Sequence, residues 1–237
     1  MPTQRIDKIF SSLGLLTRNE CSKAARAGRI TVGGETIKKS DLRIDTRAIT
    51  LCLDGEVIHY AEFFYIMLNK PAGYISATDD PRERTVLELL PAQYQKAGLF
   101  PAGRLDKDTY GLLILTNDGV LSHRLLSPKH HVAKRYFVKL RDAVKASDAG
   151  AFAGELHIDK DEICKPAVLE LTDVPNECYV TLTEGKYHQV KRMFDALGNL
   201  VTFLERVEFA GLPLDRSLKR GEWRMLSEEE IEILKAN

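Results

Sequence analysis

The stretch Gly103-Arg104-Leu105-Asp106-Lys107-Asp108-Thr109-Tyr110-Gly111-Leu112-Leu113-Ile114-Leu115-Thr116-Asn117-Asp118-Gly119 runs from a polar loop directly into an apolar strand and then into a turn. Gly111 to Thr116 has strand length, and Asn117-Asp118-Gly119 supplies turn-forming residues. A rigid strand behind an acidic loop is a good mount for a reactive side chain, because loops held by a scaffold carry a large share of binding and catalytic groups. Asp106 and Asp108 are both candidates, since a carboxylate beside a cation stays ionised where water is scarce. From the loop alone, folding the turn is the favoured reading of either aspartate.

Strand-like runs recur on both sides of this stretch: Phe63 to Leu68, Tyr136 to Leu140, Ala167 to Thr172, Tyr179 to Thr183 and Val201 to Phe209. Short helical stretches separate them, the pattern of an α+β domain built on a large sheet. Thr85 with Glu88, and Ser227 with Glu230, have capping-box spacing, and the second pair starts a C-terminal helix ending near Lys235. Val190, Met193, Phe194 and Leu197 make an apolar helical stripe ending at Gly198, a natural residue just past a helix C-terminus. Packing accounts for those four. Lys191 and Arg192 fall off the stripe near the helix start, where the helix dipole does not favour a cation, so a phosphate or a carboxylate is expected beside them.

Upstream, Ile6, Ile9, Phe10 and Leu13 form one helix face before Gly14. Thr17 and Glu20 have the spacing of a capping box, starting a second helix that runs through Ala27 and ends at Gly28. Arg29 to Glu35 then reads as a short strand entering a glycine turn, with Thr36-Ile37 leaving it. This is a helix-helix-hairpin unit, assigned to residues 1–58, followed by a linker at 59–62 and a second domain at 63–237. Arg18, Lys23, Arg26 and Arg29 sit on or just beyond the second helix, as a phosphate-tracking surface or as an ordinary solvated face.

The 237 residues are 44% hydrophobic and 29% charged, so the chain can bury one or two cores and has no disordered or collagen-like bias. The longest clean apolar run, Phe63 to Leu68, is far short of the roughly 20 residues of a membrane-spanning helix. Met1-Pro2-Thr3-Gln4 begins no charged-then-apolar signal, so a cytoplasmic protein is expected. Cysteines at 21, 52, 164 and 178 contain no C-x-x-C pair and read as reduced thiols. The formal net charge is zero, yet residues 1–48 hold ten Lys or Arg against five Asp or Glu, which marks a basic arm on a less basic body. There is no phosphate loop, no G-x-G-x-x-G, no H-E-x-x-H and no G-x-S-x-G. The six histidines show no ligand-like spacing with cysteines, so neither a metal nor a cofactor is expected.

Arg5-Ile6-Asp7-Lys8, Gly14, Thr17-Arg18, Ala24, Ala25, Gly28-Arg29-Ile30, Val32 and Gly33 together resemble the S4 RNA-binding module, with Thr17 in place of the usual Ser and Gly33 in place of Asn. The resemblance makes RNA the expected partner. Gly103 to Gly119 resembles the active-site motif of the pseudouridine synthases, in the ribosomal branch that carries an amino-terminal S4 module. Three further blocks agree, in order: Lys70-Pro71-Ala72-Gly73 with Ser76, Lys134-Arg135-Tyr136, and Glu184-Gly185-Lys186-Tyr187-His188-Gln189-Val190-Lys191-Arg192-Met193-Phe194. The match runs nearly end to end.

The resemblance implies an S4 module followed by a catalytic domain on a large mixed, mainly antiparallel β-sheet. It also implies a reaction, the isomerisation of uridine within RNA: the N1–C1′ bond breaks, the uracil turns while bound, and C5 bonds to C1′. No cofactor takes part. Asp106 would be the family's aspartate, acting either as a nucleophile at C1′ or as a base on a ribose proton, and both routes stay open. Lys191 would be its basic partner, a point charge where many relatives place the fork of an arginine. Arg104 would occupy the vacancy left by the displaced base, Tyr136 would offer it an aromatic face, and Val190 would pack on the other side. The resemblance is nearest to the members acting on small-subunit (16S) ribosomal RNA. A large-subunit (23S) synthase is the alternative within the reaction class. A non-catalytic RNA-binding assembly factor is the alternative of another class, and the presence of Asp106, Tyr136 and Lys191 argues against it. The expected partner is ribosomal RNA or an assembly intermediate, bound by a monomer with no membrane involved.

Overall fold

The computed structural model describes residues 3–45, 49–58 and 63–237. By packing, the chain divides into residues up to Phe64 together with Leu90–Leu99, and Tyr65–Leu89 together with Phe100–Asn237. The expected linker at 59–62 lies outside the described residues.

In the first unit, β1 (Gln4–Arg5) leads directly into α1 (Ile6–Ser12), and α2 (Arg18–Arg26) follows. Ile6, Ile9 and Phe10 are fully buried against the small side chains Cys21, Ala24 and Ala25, so the apolar stripe of α1 meets the narrow face of α2. The capping box forms as expected: Glu20 accepts the Thr17 backbone N–H at 2.7 Å, and the Thr17 hydroxyl accepts the Glu20 N–H at 3.2 Å. Gly28, at φ +77°, ends the helix. β2 (Ile30–Val32) and β3 (Glu35–Thr36) make a hairpin through Gly33 and Gly34, whose φ values of +59° and +88° suit a two-residue turn. β4 (Arg43–Ile44) pairs with β1, while β5 (Leu51–Leu53) and β6 (Glu56–Val57) complete a four-stranded sheet in the order β3-β2-β5-β6. The short helix α3 (Ala92–Gln95) also belongs to this unit.

The second unit contains β7 (Tyr65–Lys70), β8 (Phe100–Pro101), β9 (Tyr110–Thr116), α4 (Gly119–Leu126), β10 (Lys134–Leu140), α5 (Ala146–Ala153), β11 (His157–Asp159) and β12 (Glu162–Ile163). It continues with β13 (Val168–Leu171), β14 (Glu177–Leu182), α6 (Gln189–Ala196), β15 (Val201–Phe209), β16 (Leu212–Pro213), β17 (Trp223–Met225) and α7 (Glu228–Lys235). Nine of these strands form one mixed sheet, ordered β13-β14-β10-β15-β9-β7-β17, with β16 on β15 and β8 on β9. Its pairings are antiparallel except between β15 and β9, where Glu205 and Arg206 lie opposite Tyr110 and Gly111 in a short parallel join. Gly111 permits that join: it sits at φ +103°, and a Cβ there would fall 2.3 Å from the Arg206 carbonyl oxygen.

β9 is buried on both faces beyond Tyr110, which is why it reads as an unbroken apolar run, whereas β10 and β14 alternate. Tyr65, Met67, Leu112 and Ile114 share one core with Leu121 and Leu125 of α4 and with Leu234 of α7. Two expectations need correction. The strand expected over Phe63 to Leu68 runs from Tyr65 to Lys70, because polar Asn69 and Lys70 continue it with their side chains bonded inside; Asn69 Nδ2 donates to the Leu218 carbonyl at 2.8 Å. Thr85 and Glu88 cap only a four-residue 3₁₀ turn (Val86–Leu89), with Glu88 accepting the Thr85 N–H at 2.6 Å. Pro91 biases Leu90 away from helical backbone and stops propagation.

Candidate active site

The loop between β8 and β9 is fastened from beneath by the end of β7. Lys70 is fully buried, and its ammonium donates to the carbonyls of Thr109 at 2.9 Å and of Asp106 and Pro71 at 3.0 Å each. Burial pushes its pKa down to about 8, against the pull of the Asp106 and Asp108 carboxylates. The Ser76 hydroxyl donates to the Leu105 carbonyl and accepts the Leu105 N–H, both at 3.0 Å, and the Gly73 N–H donates to the Lys107 carbonyl at 2.8 Å. Asp106 is therefore flanked by residues whose backbone is tied on both sides.

α6 supplies the opposing charge. Val190, Met193 and Phe194 bury the apolar stripe, which leaves Lys191 facing the loop. Its ammonium lies 2.9 Å from Asp106 Oδ2 and 2.6 Å from Asp108 Oδ1. Burial alone would lower the Lys191 pKa, but its hydrogen bonds to the Asp108 and Asp106 carboxylates outweigh it and hold the group above its usual value. Burial would likewise raise Asp108, and its bond with Lys191 turns the net shift downward. The cation expected to pair with Asp106 thus bridges both loop aspartates. Arg192 also meets a carboxylate, with Nη1 at 2.7 Å from Glu162.

A cleft of about 550 Å³ opens beside Asp106, within the range of small-molecule sites. Arg104, Asp106, Tyr136, His188, Val190 and Arg206 are among its lining residues. Arg104 is exposed, while Tyr136 and Val190 are buried at the cleft wall. Sequence reasoning missed three contributors. His188 places Nε2 3.5 Å from Asp106 Oδ1 and stacks on Tyr187, from a left-handed backbone at φ +48°. Lys70 and Ser76 were visible only as parts of a motif, with no sign of which carbonyls they would hold. Among the described residues, no group of three His, Cys, Asp or Glu could hold a metal ion.

The four cations expected to follow phosphate belong to the first unit. Arg18, Lys23 and Arg26 are exposed on α2, spread over an arc of about 140° at the helical 100° per residue. Arg29 differs from the expectation of an open cation, because its guanidinium forms a two-point pair with Asp54, with Nε 2.7 Å from Oδ1. The four thiols are free, and no helix among the described residues is long and apolar enough to cross a membrane.

Residues 64–196 match the RNA pseudouridylate synthase family, and residues 4–47 match the S4 domain. An uncharacterized RNA pseudouridine synthase of Bacillus subtilis is 42% identical over 233 residues, covering 97% of this chain and 98% of the relative. Ribosomal small subunit pseudouridine synthase A of Escherichia coli is also 42% identical, over 234 residues, covering 96% of this chain and 98% of the relative. A crystal structure of a pseudouridylate synthase superimposes with a TM-score of 0.69 at 40% identity, covering 97% of this chain and 99% of that one. With both domain matches in this order and relatives of this similarity along its length, the chain belongs to the RNA pseudouridylate synthase family, as a member that carries an S4 domain.

Proposed function

We propose that the chain converts a uridine of small-subunit (16S) ribosomal RNA to pseudouridine, with Asp106 as the carboxylate that acts on the ribose. The observation that carries the reading is the pairing of Lys191 with Asp106, which lines a cleft together with Tyr136 and Val190. Lys191 keeps Asp106 aimed. The uracil, out of its stack, lies between the Tyr136 ring and Val190, and Arg104 fills the space it leaves in the RNA. Breaking N1–C1′ frees the base to turn, and the new C5–C1′ bond restores the link with no atoms gained or lost. Asp106 either bonds C1′ or takes a ribose proton meanwhile. Residues 1–58 act as the RNA-holding domain through Arg18, Lys23 and Arg26, residues 59–62 as a linker, and 63–237 as the catalytic domain. The enzyme works as a cytoplasmic monomer without a cofactor.

The small-subunit assignment is favoured over a large-subunit one by the Escherichia coli relative, a ribosomal small subunit pseudouridine synthase. Mapping pseudouridines in ribosomal RNA from cells lacking the protein tests it: one 16S position should revert to uridine and return with the wild-type chain. Loss of a 23S position instead would transfer the target to the large subunit. Asp106→Asn, nearly isosteric yet unable to serve as nucleophile or base, should fail to restore the modification while binding RNA within about threefold of wild type. Substantial activity in that variant would move the chemistry away from Asp106.

A further inference from the structure

One cation in the cleft has no part in the roles above. Arg206, opposite Gly111 in the parallel join, is 1% exposed and lines the cleft. Its Nε donates to the Leu112 carbonyl at 2.8 Å, and the guanidinium sits 4.8 Å from the centre of the Phe209 ring. Burial drives its pKa downward, and the Tyr136 side chain offsets part of this. Its Nη2 is buried without a hydrogen-bond partner among the described residues. The ion pairs of Lys191 with Asp106 and Asp108 do not include it. Lys134, at the start of β10, lines the same cleft and donates to the Val132 carbonyl at 2.9 Å. Burial, and then the charge of Arg206, push the Lys134 ammonium down to about 8, with Glu184 offsetting part of the shift.

A desolvated guanidinium with an unused N–H is costly and calls for an explanation. Donors fixed in advance where charge develops supply one, because their partner arrives only as the reaction proceeds. We infer that Arg206, with Lys134 beside it, stabilises the uracil as an anion when it departs from C1′. This rests on the reading that the target uridine occupies the cleft beside Asp106. When N1–C1′ breaks, its electron pair stays with the base, and the negative charge spreads over N1, O2 and O4. C1′ is meanwhile satisfied either by an Asp106 oxygen or by loss of a ribose proton to Asp106, and both routes produce the same uracil anion. In the second half C5 gives an electron pair to C1′, C5 loses its proton and N1 gains one. The ester pair returns to Asp106 in the first route, and the proton returns to C2′ in the second.

The test uses the full chain and a ribosomal RNA transcript bearing either uridine or 5-fluorouridine at the target, followed in single turnovers. Fluorine withdraws electrons and stabilises the departing base, so a residue that stabilises the same anion should matter less to the fluorinated substrate. Arg206→Met should slow loss of the uridine linkage about 100-fold, a loss typical of removing one such donor. Its RNA affinity should stay within about threefold, and the deficit should shrink to about tenfold or less with 5-fluorouridine. Arg206→Lys should recover part of the rate, and Lys134→Met should show the same substrate dependence with a smaller loss. An undiminished rate, or equal deficits on both substrates in folded variants, would overturn the anion role. Should the Arg206 variants fail to fold by circular dichroism, the comparison in Lys134→Met decides. Asp106→Asn on the same transcripts separates the two levels. If it is active, the site assignment itself fails; if it is dead while Arg206→Met is blind to fluorine, only the anion role fails.

Discussion

Lys191 holds two carboxylates of unequal standing: the Asp106 side chain is 27% exposed and that of Asp108 72%. An ion pair that faces water contributes little, so the bond to Asp108 serves mainly to steady the ammonium, whereas the bond to Asp106 fixes a group at the cleft. Lys191→Met should therefore lower the single-turnover rate at least 100-fold with RNA affinity little changed, because misplacing a reacting group by an ångström costs that much. Asp108→Asn should stay within about fivefold of wild type, and equal losses in the two variants would assign the chemistry to the bridged pair as a whole. The Asp106–Lys191 pairing was legible because each residue sits in its own motif. The share taken by Asp108 was not, since it depends on where an exposed loop tip falls across the fold. His188 was hidden for a different reason: its position depends on a left-handed backbone at φ +48°, which no local pattern demands of a histidine. Lys70 looked like a polar end to an apolar run, and only the folded loop reveals the carbonyls that make its burial tolerable.

At the scale of elements, what could be read was what closes within a few residues. The boxes at Thr17 with Glu20 and at Ser227 with Glu230 both form, since each needs only three residues and one helical turn. Pairing partners are another matter. Nothing in Tyr110-Gly111 announces a parallel contact with Glu205-Arg206, almost a hundred residues away, yet that contact joins the β13-β14-β10-β15 part of the sheet to β9, β7 and β17. The join also places Asp106 and Arg206 at one cleft. Gly111→Ala should be severe on two counts, a left-handed backbone and a methyl 2.3 Å from a backbone oxygen that cannot step aside. A loss of roughly 3 kcal/mol or more in urea unfolding is expected from strain and overpacking together. A loss below about 1 kcal/mol would mean that the join yields easily and does not fix the relation between loop and strand.

For the whole molecule, equal counts of 34 basic and 34 acidic residues conceal a division of labour, with the basic excess in the N-terminal residues. That excess was readable from the sequence, but which cations remain open to a polyanion was not. Arg29 is already held by Asp54, whereas Arg18, Lys23 and Arg26 stand exposed on α2. A cation committed to a carboxylate releases fewer counterions on meeting a phosphate than an open one. Each open contact to RNA contributes about 0.7–0.9 to the slope of log affinity against log salt. The combined Arg18→Ala, Lys23→Ala and Arg26→Ala variant should therefore bind the ribosomal RNA more weakly at low salt and show a slope shallower by about two. Arg29→Ala should change the slope by well under one. Because these residues lie in the first unit and none lines the cleft, single-turnover rates at saturating RNA should stay within about twofold of wild type. An unchanged slope in the triple variant would return α2 to an ordinary solvated face, and the RNA-holding role would have to lie elsewhere on the chain.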